Sequence, residues 1–183
     1  MRGSPVGDRV HRPGTAGREA HMNRELYTLH NVAYFVGALA HGAEQNLGRG
    51  SLSICSLAGK KFGREAVAGE RQTDDPEEAV KILHDALAKQ GIVWDFEPFA
   101  GDRGSSVSSD GSTHTMRLVF RTCMVRNALF RYGHEQKQSL CYMAHGVFAG
   151  AMENIMPGAK VELEIVHAGP NGCLKEMVWE VGQ

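Results

Sequence analysis

The last third of the chain concentrates cysteine and histidine residues that could bind a metal ion, namely Cys123, Cys141, His145, His167 and Cys173, with Glu164 close by. Thiolate and imidazole groups are ligands that zinc prefers, and a carboxylate can complete a set of four. The cysteines form no Cys-x-x-Cys pair, so their spacing alone is weak evidence for a metal site. On a helix, Cys141 and His145 would share one face, which makes His145 either a further ligand or a neighbour of the site. For Cys123, the sequence does not distinguish a packing role in the core from a functional role.

Aromatic residues of the central region could line a pocket for a hydrophobic or aromatic molecule. The candidates are Trp94, Phe96, Phe120 and Phe130. Ligand pockets are lined mainly by apolar and aromatic side chains. Aromatic residues on strands also fill protein cores, so the sequence leaves both interpretations open.

Three helices are predicted before these aromatic residues. Apolar residues recur at helical spacing over residues 23–47 and again over residues 51–66. The third helix has the clearest start, because Asp75 can cap it and Pro76 suits its first position. Gly91 is the residue expected to end it.

Four strands are predicted, over residues 92–97, 116–120, 160–166 and 173–181. Residues 101–113 are rich in glycine and serine, and we expect a long hairpin loop there, either a flexible tip or a lid over a ligand. A short helix is expected over residues 124–132 and a longer one over residues 138–155. This order predicts an α+β domain, in which helices cover a small, mostly antiparallel sheet that ends in a β-hairpin.

The chain has 183 residues and a formal net charge of -1, which suits a single domain without a basic surface for nucleic acid or an anionic membrane. No apolar run is long enough to span a bilayer, and no signal peptide is evident, so we expect a cytoplasmic protein with reduced cysteines. Residues 1–22 are polar and are interpreted as a disordered leader or an added extension, which leaves residues 23–183 as the folded domain.

Several familiar activities have no support in the sequence. There is no glycine-rich dinucleotide fingerprint, no phosphate-binding P-loop and no Gly-x-Ser-x-Gly elbow. The chain also has no helix-turn-helix extension, so a transcriptional role would require a partner protein.

A longer pattern spans the C-terminal part of the chain. A predicted helix with Cys141, Gly146 and Gly150 is followed by a strand that ends in Glu164-x-x-His167 and, after a glycine-containing turn, by Cys173. This pattern resembles the C-terminal motif of the 4-vinyl-reductase-like, or hydrocarbon-binding, domain family.

The resemblance implies a fold related to the small subunits of the TRAPP vesicle-tethering complex, frequent dimer formation and a pocket for small hydrophobic molecules. It also implies a structural zinc held by Cys141, Glu164, His167 and Cys173, with His167 in place of the usual cysteine. Iron or an iron–sulfur cluster is the alternative to zinc. Because Glu164 and His167 are three residues apart, an unbroken strand would point them to opposite faces, so this set requires a bend near Val166.

Three functions follow from this resemblance. The first is a metal-containing binding protein for a small hydrophobic or aromatic molecule, acting as a homodimeric sensor or carrier without direct contact to nucleic acid or membrane. The second is a metal- or iron–sulfur-dependent reductase or hydrolase for a small hydrophobic or tetrapyrrole-like substrate, with His145 as proton donor. The third is an adaptor within a complex.

Overall fold

The computed structural model describes residues 15–101, 104–123, 125–126 and 136–181, and for residues 15–26 and 28 it describes the backbone alone. The helices of this part are α1 (Thr15–Leu47), α2 (Arg49–Ala66), α3 (Pro76–Lys89) and α4 (Ser139–Ile155). Its strands are β1 (Asp95–Pro98), β2 (Val107–Asp110), β3 (Thr113–Thr122), β4 (Ala159–Ala168) and β5 (Cys173–Val181). The predicted α+β class with a C-terminal β-hairpin is confirmed.

The helices follow local sequence signals. At the start of α3, one side-chain oxygen of Asp75 accepts hydrogen bonds from the backbone N–H groups of Glu77 and Glu78, at 2.9 and 3.3 Å. This is the predicted cap, and it satisfies backbone donors that the helix leaves unpaired. Helix α1 begins at Thr15, within the segment interpreted as a leader, while residues 1–14 lie outside the described residues.

The five strands form one antiparallel sheet in the order β1-β3-β5-β4, and β2 pairs with β3. The expectation of a long hairpin loop over residues 101–113 was therefore wrong for β2, which pairs with β3 in a hairpin around Gly111. The residues of β2 are mostly polar and exposed, so the strand lacks the alternation that identifies a half-buried strand in a sequence. The predicted helix over residues 124–132 lies, apart from residues 125–126, outside the described residues.

One face of the sheet packs against α3 and α4 to form the core, and we call this the inner face. On β5 the residues of the inner face are Cys173, Lys175, Met177 and Trp179, all of them buried. On β3 they are Met116, Leu118 and Phe120. The alternation follows from the two-residue period of a strand.

Helices α2 and α4 cross with their backbones in contact. A Cβ atom on Gly63 would lie 2.0 Å from the carbonyl oxygen of Val147, and one on Gly146 would lie 2.1 Å from that of Ser56. Gly59 and Gly150 have equally close neighbours across the crossing. Glycine is therefore required at these positions, because any side chain would separate the helices.

Candidate functional site

The aromatic residues predicted to line a pocket meet in the core. Trp94 and Phe96 lie with their ring centroids 5.3 Å apart, and Phe120 lies 5.4 Å from Trp94 and 5.2 Å from Phe96. Phe148 of α4 completes this aromatic cluster at 6.3 Å from Trp94. The sequence analysis missed Phe148, although the apolar character of α4 could have indicated its burial. Phe130 lies outside the described residues.

A small, largely enclosed cavity of about 20 Å³ lies beside this cluster. It has room for about one water molecule. Three thiols line it, those of Cys123, Cys141 and Cys173. The remaining lining residues are Val125, Arg126, Gln136, Ile165, Ala168 and Lys175. The structure thus brings two of the four predicted zinc ligands together with Cys123, and we call this space the thiol cavity.

Lys175 is the least expected residue of the thiol cavity. It is only 3% exposed, and its Nζ lies 4.5 Å from the centroid of the Phe120 ring and 5.9 Å from that of Trp94. Burial lowers the pKa of Lys175, because desolvation disfavours the charged form. The sequence did contain a signal for this burial, since Lys175 has the same strand phase as Cys173 and Met177.

Two further hydrogen-bond donors near the thiol cavity have no partner among the described residues. Arg126 is 7% exposed, and its Nη2 donates to the carbonyl oxygen of Arg121, whereas its Nη1 has no acceptor within the described part. The indole Nε1 of Trp94 is buried and likewise lacks an acceptor there. Buried polar groups are normally paired.

Burial also affects the acid–base properties of Cys141. It raises the pKa of the Cys141 thiol, because a thiolate is poorly solvated in this environment. Cys141 is therefore a neutral thiol at pH 7 in the ligand-free protein. A neutral thiol is a poor nucleophile.

His145 lies one turn after Cys141 but does not line the thiol cavity. It is 8% exposed, and its ring centroid is 5.7 Å from that of Tyr142. Burial, followed by the charge of Lys175, lowers the pKa of His145 to about 3, so the ring is neutral at pH 7. His145 lines a separate cavity of about 350 Å³ between α2, α4 and β4.

Glu164 and His167 lie on the opposite, outer face of the sheet. Glu164 pairs with Glu176 and His167 with Leu174, and both partners alternate with the inward residues of β5. The pairing register of β4 with β5 shifts between Ile165 and His167, which corresponds to the predicted bend near Val166. This irregularity places Glu164 and His167 on the same exposed side of the strand.

The four predicted zinc ligands are therefore not together in this arrangement. Cys141 and Cys173 line the thiol cavity on the inner side, whereas Glu164 and His167 are exposed on the outer face. Within the described ranges, no group of three or more His, Cys, Asp or Glu side chains is placed to hold a metal ion. The four-residue set does not fit a single ion here, and we derive no function through a metal.

The fold has counterparts among solved structures. The phenol-responsive sensory domain of the transcription activator PoxR, with phenol, matches with a TM-score of 0.53 and 13% identity over 81% of this chain and 74% of that domain. A trafficking protein particle complex subunit 3 from Naegleria fowleri, covalently bound to palmitic acid, matches with a TM-score of 0.44 and 15% identity over 84% of this chain and 95% of that one.

The likeness to the PoxR domain shows a shared fold. No known family model and no curated protein sequence matches the chain. In the part of the chain that the structure describes, no helix combines the length and the apolar character needed to cross a bilayer.

Proposed function

We propose that this protein binds a small hydrophobic or aromatic molecule and acts as a sensor or carrier. The observation that carries the proposal is the thiol cavity, which lies beside the aromatic cluster and is lined by Arg126, whose buried Nη1 has no acceptor among the described residues. Apolar walls with a few polar groups are typical of ligand sites. The shared fold with a domain that responds to phenol supports the same function.

The aromatic cluster borders the thiol cavity through Lys175, which lines the cavity and whose Nζ lies 4.5 Å from the centroid of the Phe120 ring. The present cavity holds about one water molecule, so a ligand must displace at least one ring of the cluster. Phe148 is the ring on α4 and Trp94 precedes β1, so their separation would open the space between helix and sheet. Binding then couples ligand entry to a movement of α4, which is what a sensor requires.

Homodimer formation is part of this proposal and rests on the surface of α1. Leu29, Val32, Val36 and Leu39 are all exposed and follow the alternating three- and four-residue spacing of a helix-pairing seam. Exposed apolar residues at this spacing are typical of a helix that pairs with a second copy.

The enzymatic alternative is not supported by the position of its proposed proton donor. His145 is neutral and lines a different cavity from the three thiols. No observation in the described residues favours a reductase or a hydrolase over a binding protein.

Ligand binding can be measured with the fluorescence of Trp94. The chain has two tryptophans, so Trp179→Phe leaves Trp94 as the single reporter. We expect saturable changes in emission with small aromatic probes such as phenol or benzoate. Phe120→Leu should weaken binding, because it removes a ring that would contact the ligand, whereas Phe62→Leu, at a partly exposed position of α2, should not. No saturable response to any aromatic probe would contradict the proposed function.

A further inference from the structure

The thiol cavity contains a buried positive charge with an unused donor. The guanidinium of Arg126 is charged at all physiological pH values. The Arg126 side chain is largely buried, and its Nη2 donates to a backbone carbonyl, while its Nη1 has no acceptor among the described residues. A buried charge is normally paired with an opposite charge, and among the described residues no carboxylate pairs with Arg126.

Lys175 lines the same cavity and offers further donors. Its amino group donates hydrogen bonds whether or not it is protonated. Its Nζ lies 4.5 Å from the centroid of the Phe120 ring and 5.9 Å from that of Trp94, and no carboxylate forms an ion pair with it among the described residues.

The walls of the cavity provide few acceptors for these groups. Its polar lining side chains, apart from Arg126 and Lys175, are three thiols and Gln136, and thiols are weak acceptors. Outside the cavity lining, the buried Nε1 of Trp94 also has no acceptor among the described residues, on a ring that contacts Phe120 and lies near Lys175. Buried donors thus outnumber good acceptors at one end of an aromatic cluster.

We propose that Arg126 and Lys175 together bind the oxyanion of a small aromatic carboxylic acid. This inference rests on the proposed function and names the class of its ligand. A carboxylate can accept two parallel hydrogen bonds from a guanidinium, while the aromatic body of the ligand contacts the rings of Trp94 and Phe120. The present cavity accommodates one oxygen atom, and the rest of the ligand enters as the aromatic cluster opens.

The apolar surroundings favour an organic acid over an inorganic anion. The aromatic rings and the side chains of Val125, Ile165 and Ala168 offer no hydrogen bonds to a second or third oxygen. Transfer of a multiply charged, strongly hydrated anion into such a site is costly. Inorganic phosphate is therefore expected to bind weakly.

The test compares benzoate, benzyl alcohol and inorganic phosphate as probes for the full chain by isothermal titration calorimetry. Benzyl alcohol is similar to benzoate in size but carries no charge. We expect benzoate to bind at least about tenfold more tightly than benzyl alcohol, because hydrogen bonds to charged groups are worth about one decade or more in affinity. Arg126→Gln should remove this preference and leave benzyl alcohol binding unchanged.

Two other variants control for effects on folding. Lys175→Met keeps the length of the side chain without its donors and should also reduce benzoate affinity at least about tenfold. Arg117→Gln changes an arginine that pairs with Glu176 on the outer face and should leave benzoate affinity unchanged.

Equal affinity for benzoate and benzyl alcohol would overturn the inference and leave the proposed function intact, whereas failure of every aromatic probe would overturn both. Phosphate binding as tight as that of benzoate would identify a site for inorganic anions and overturn the assignment to an organic acid. Near-stoichiometric zinc that is lost in Cys141→Ser would mean that zinc-bound thiolates supply the negative charge opposite Arg126 and Lys175. That result would also overturn the assignment to an organic acid.

Discussion

Lys175 faces the ring of Phe120 at 4.5 Å rather than a carboxylate. Both side chains are on the inner face of the sheet, and both are buried. A cation–π contact offsets part of the cost of burying an ammonium group. The rest of this desolvation cost lowers the stability of the folded protein, and binding of the proposed anionic ligand would offset it.

Lys175→Met should stabilise the ligand-free protein. Met has a similar length and no charge to desolvate, so we expect the free energy of unfolding at pH 7 to rise by about 1 kcal/mol or more. Urea denaturation measures this change, and Lys160→Met, at an exposed position of β4, is the matched control. A variant less stable than the wild type would mean that the ammonium group makes net favourable contacts.

Gly63→Ala should strongly destabilise the crossing of α2 and α4. The added Cβ would lie 2.0 Å from the carbonyl oxygen of Val147, which belongs to the backbone and cannot change rotamer. We expect a loss of at least about 2 to 3 kcal/mol in the free energy of unfolding. Gly42→Ala is the control, because a Cβ there has no neighbour within 4 Å among the described residues. Similar stabilities of the two variants would refute the close crossing.

His145 should make stability depend on pH in the acidic range. Its pKa is about 3 in the folded protein and 6.5 in the unfolded chain, so between these values the unfolded chain binds the extra proton. The contribution of His145 to the free energy of unfolding is fully present above pH 6.5. It is lost as the pH falls below that value, by up to about 1.4 kcal/mol per pH unit. His145→Phe should flatten this profile, and exposed His84→Phe should not. An unchanged slope in His145→Phe would show that other groups control acid unfolding.

Glu164→Gln and His167→Asn should leave both metal content and stability unchanged. Both side chains are exposed on the outer face, where substitutions usually change the free energy of unfolding by less than about 0.5 kcal/mol. Elemental analysis and thermal denaturation of the two variants beside the wild type provide the test. Loss of bound zinc in either variant would restore the set predicted from the sequence.

The apolar seam of α1 should hold two chains together. Leu39→Glu places a charge in the seam and should convert a dimer to a monomer, as measured by light scattering during size-exclusion chromatography. Asn31→Glu, at an exposed position beside the seam, should remain dimeric. A wild-type protein that is monomeric at all accessible concentrations would contradict the proposed dimer.

Local signals in the sequence predict most of the fold. The cap at Asp75, the end of α3 just before Gly91 and the strand over β5 all correspond to observed elements. β2 was missed because an exposed, polar edge strand has no apolar period. Its pairing with β3 depends on tertiary structure rather than on its own residues.

The candidate site was harder to predict, because it depends on which face of the sheet each residue occupies. The pattern of residue types grouped Cys173 with Glu164 and His167, but the pairing of β4 with β5 places Cys173 on the inner face and the other two on the outer face. Lys175 and Arg126 were overlooked because charged residues are rarely buried. The strand period did contain the information for Lys175, whereas nothing local to Arg126 indicates its burial.

The glycine contacts between α2 and α4 also determine how a ligand signal can travel. Helices that touch through backbone atoms have no intervening side chains whose rotamers could absorb a shift. When a ligand displaces Phe148, α4 and α2 must therefore move together as a rigid unit. Because α2 also contacts α1, such a movement would reach α1, and occupancy of the buried site can alter the geometry of the pairing surface.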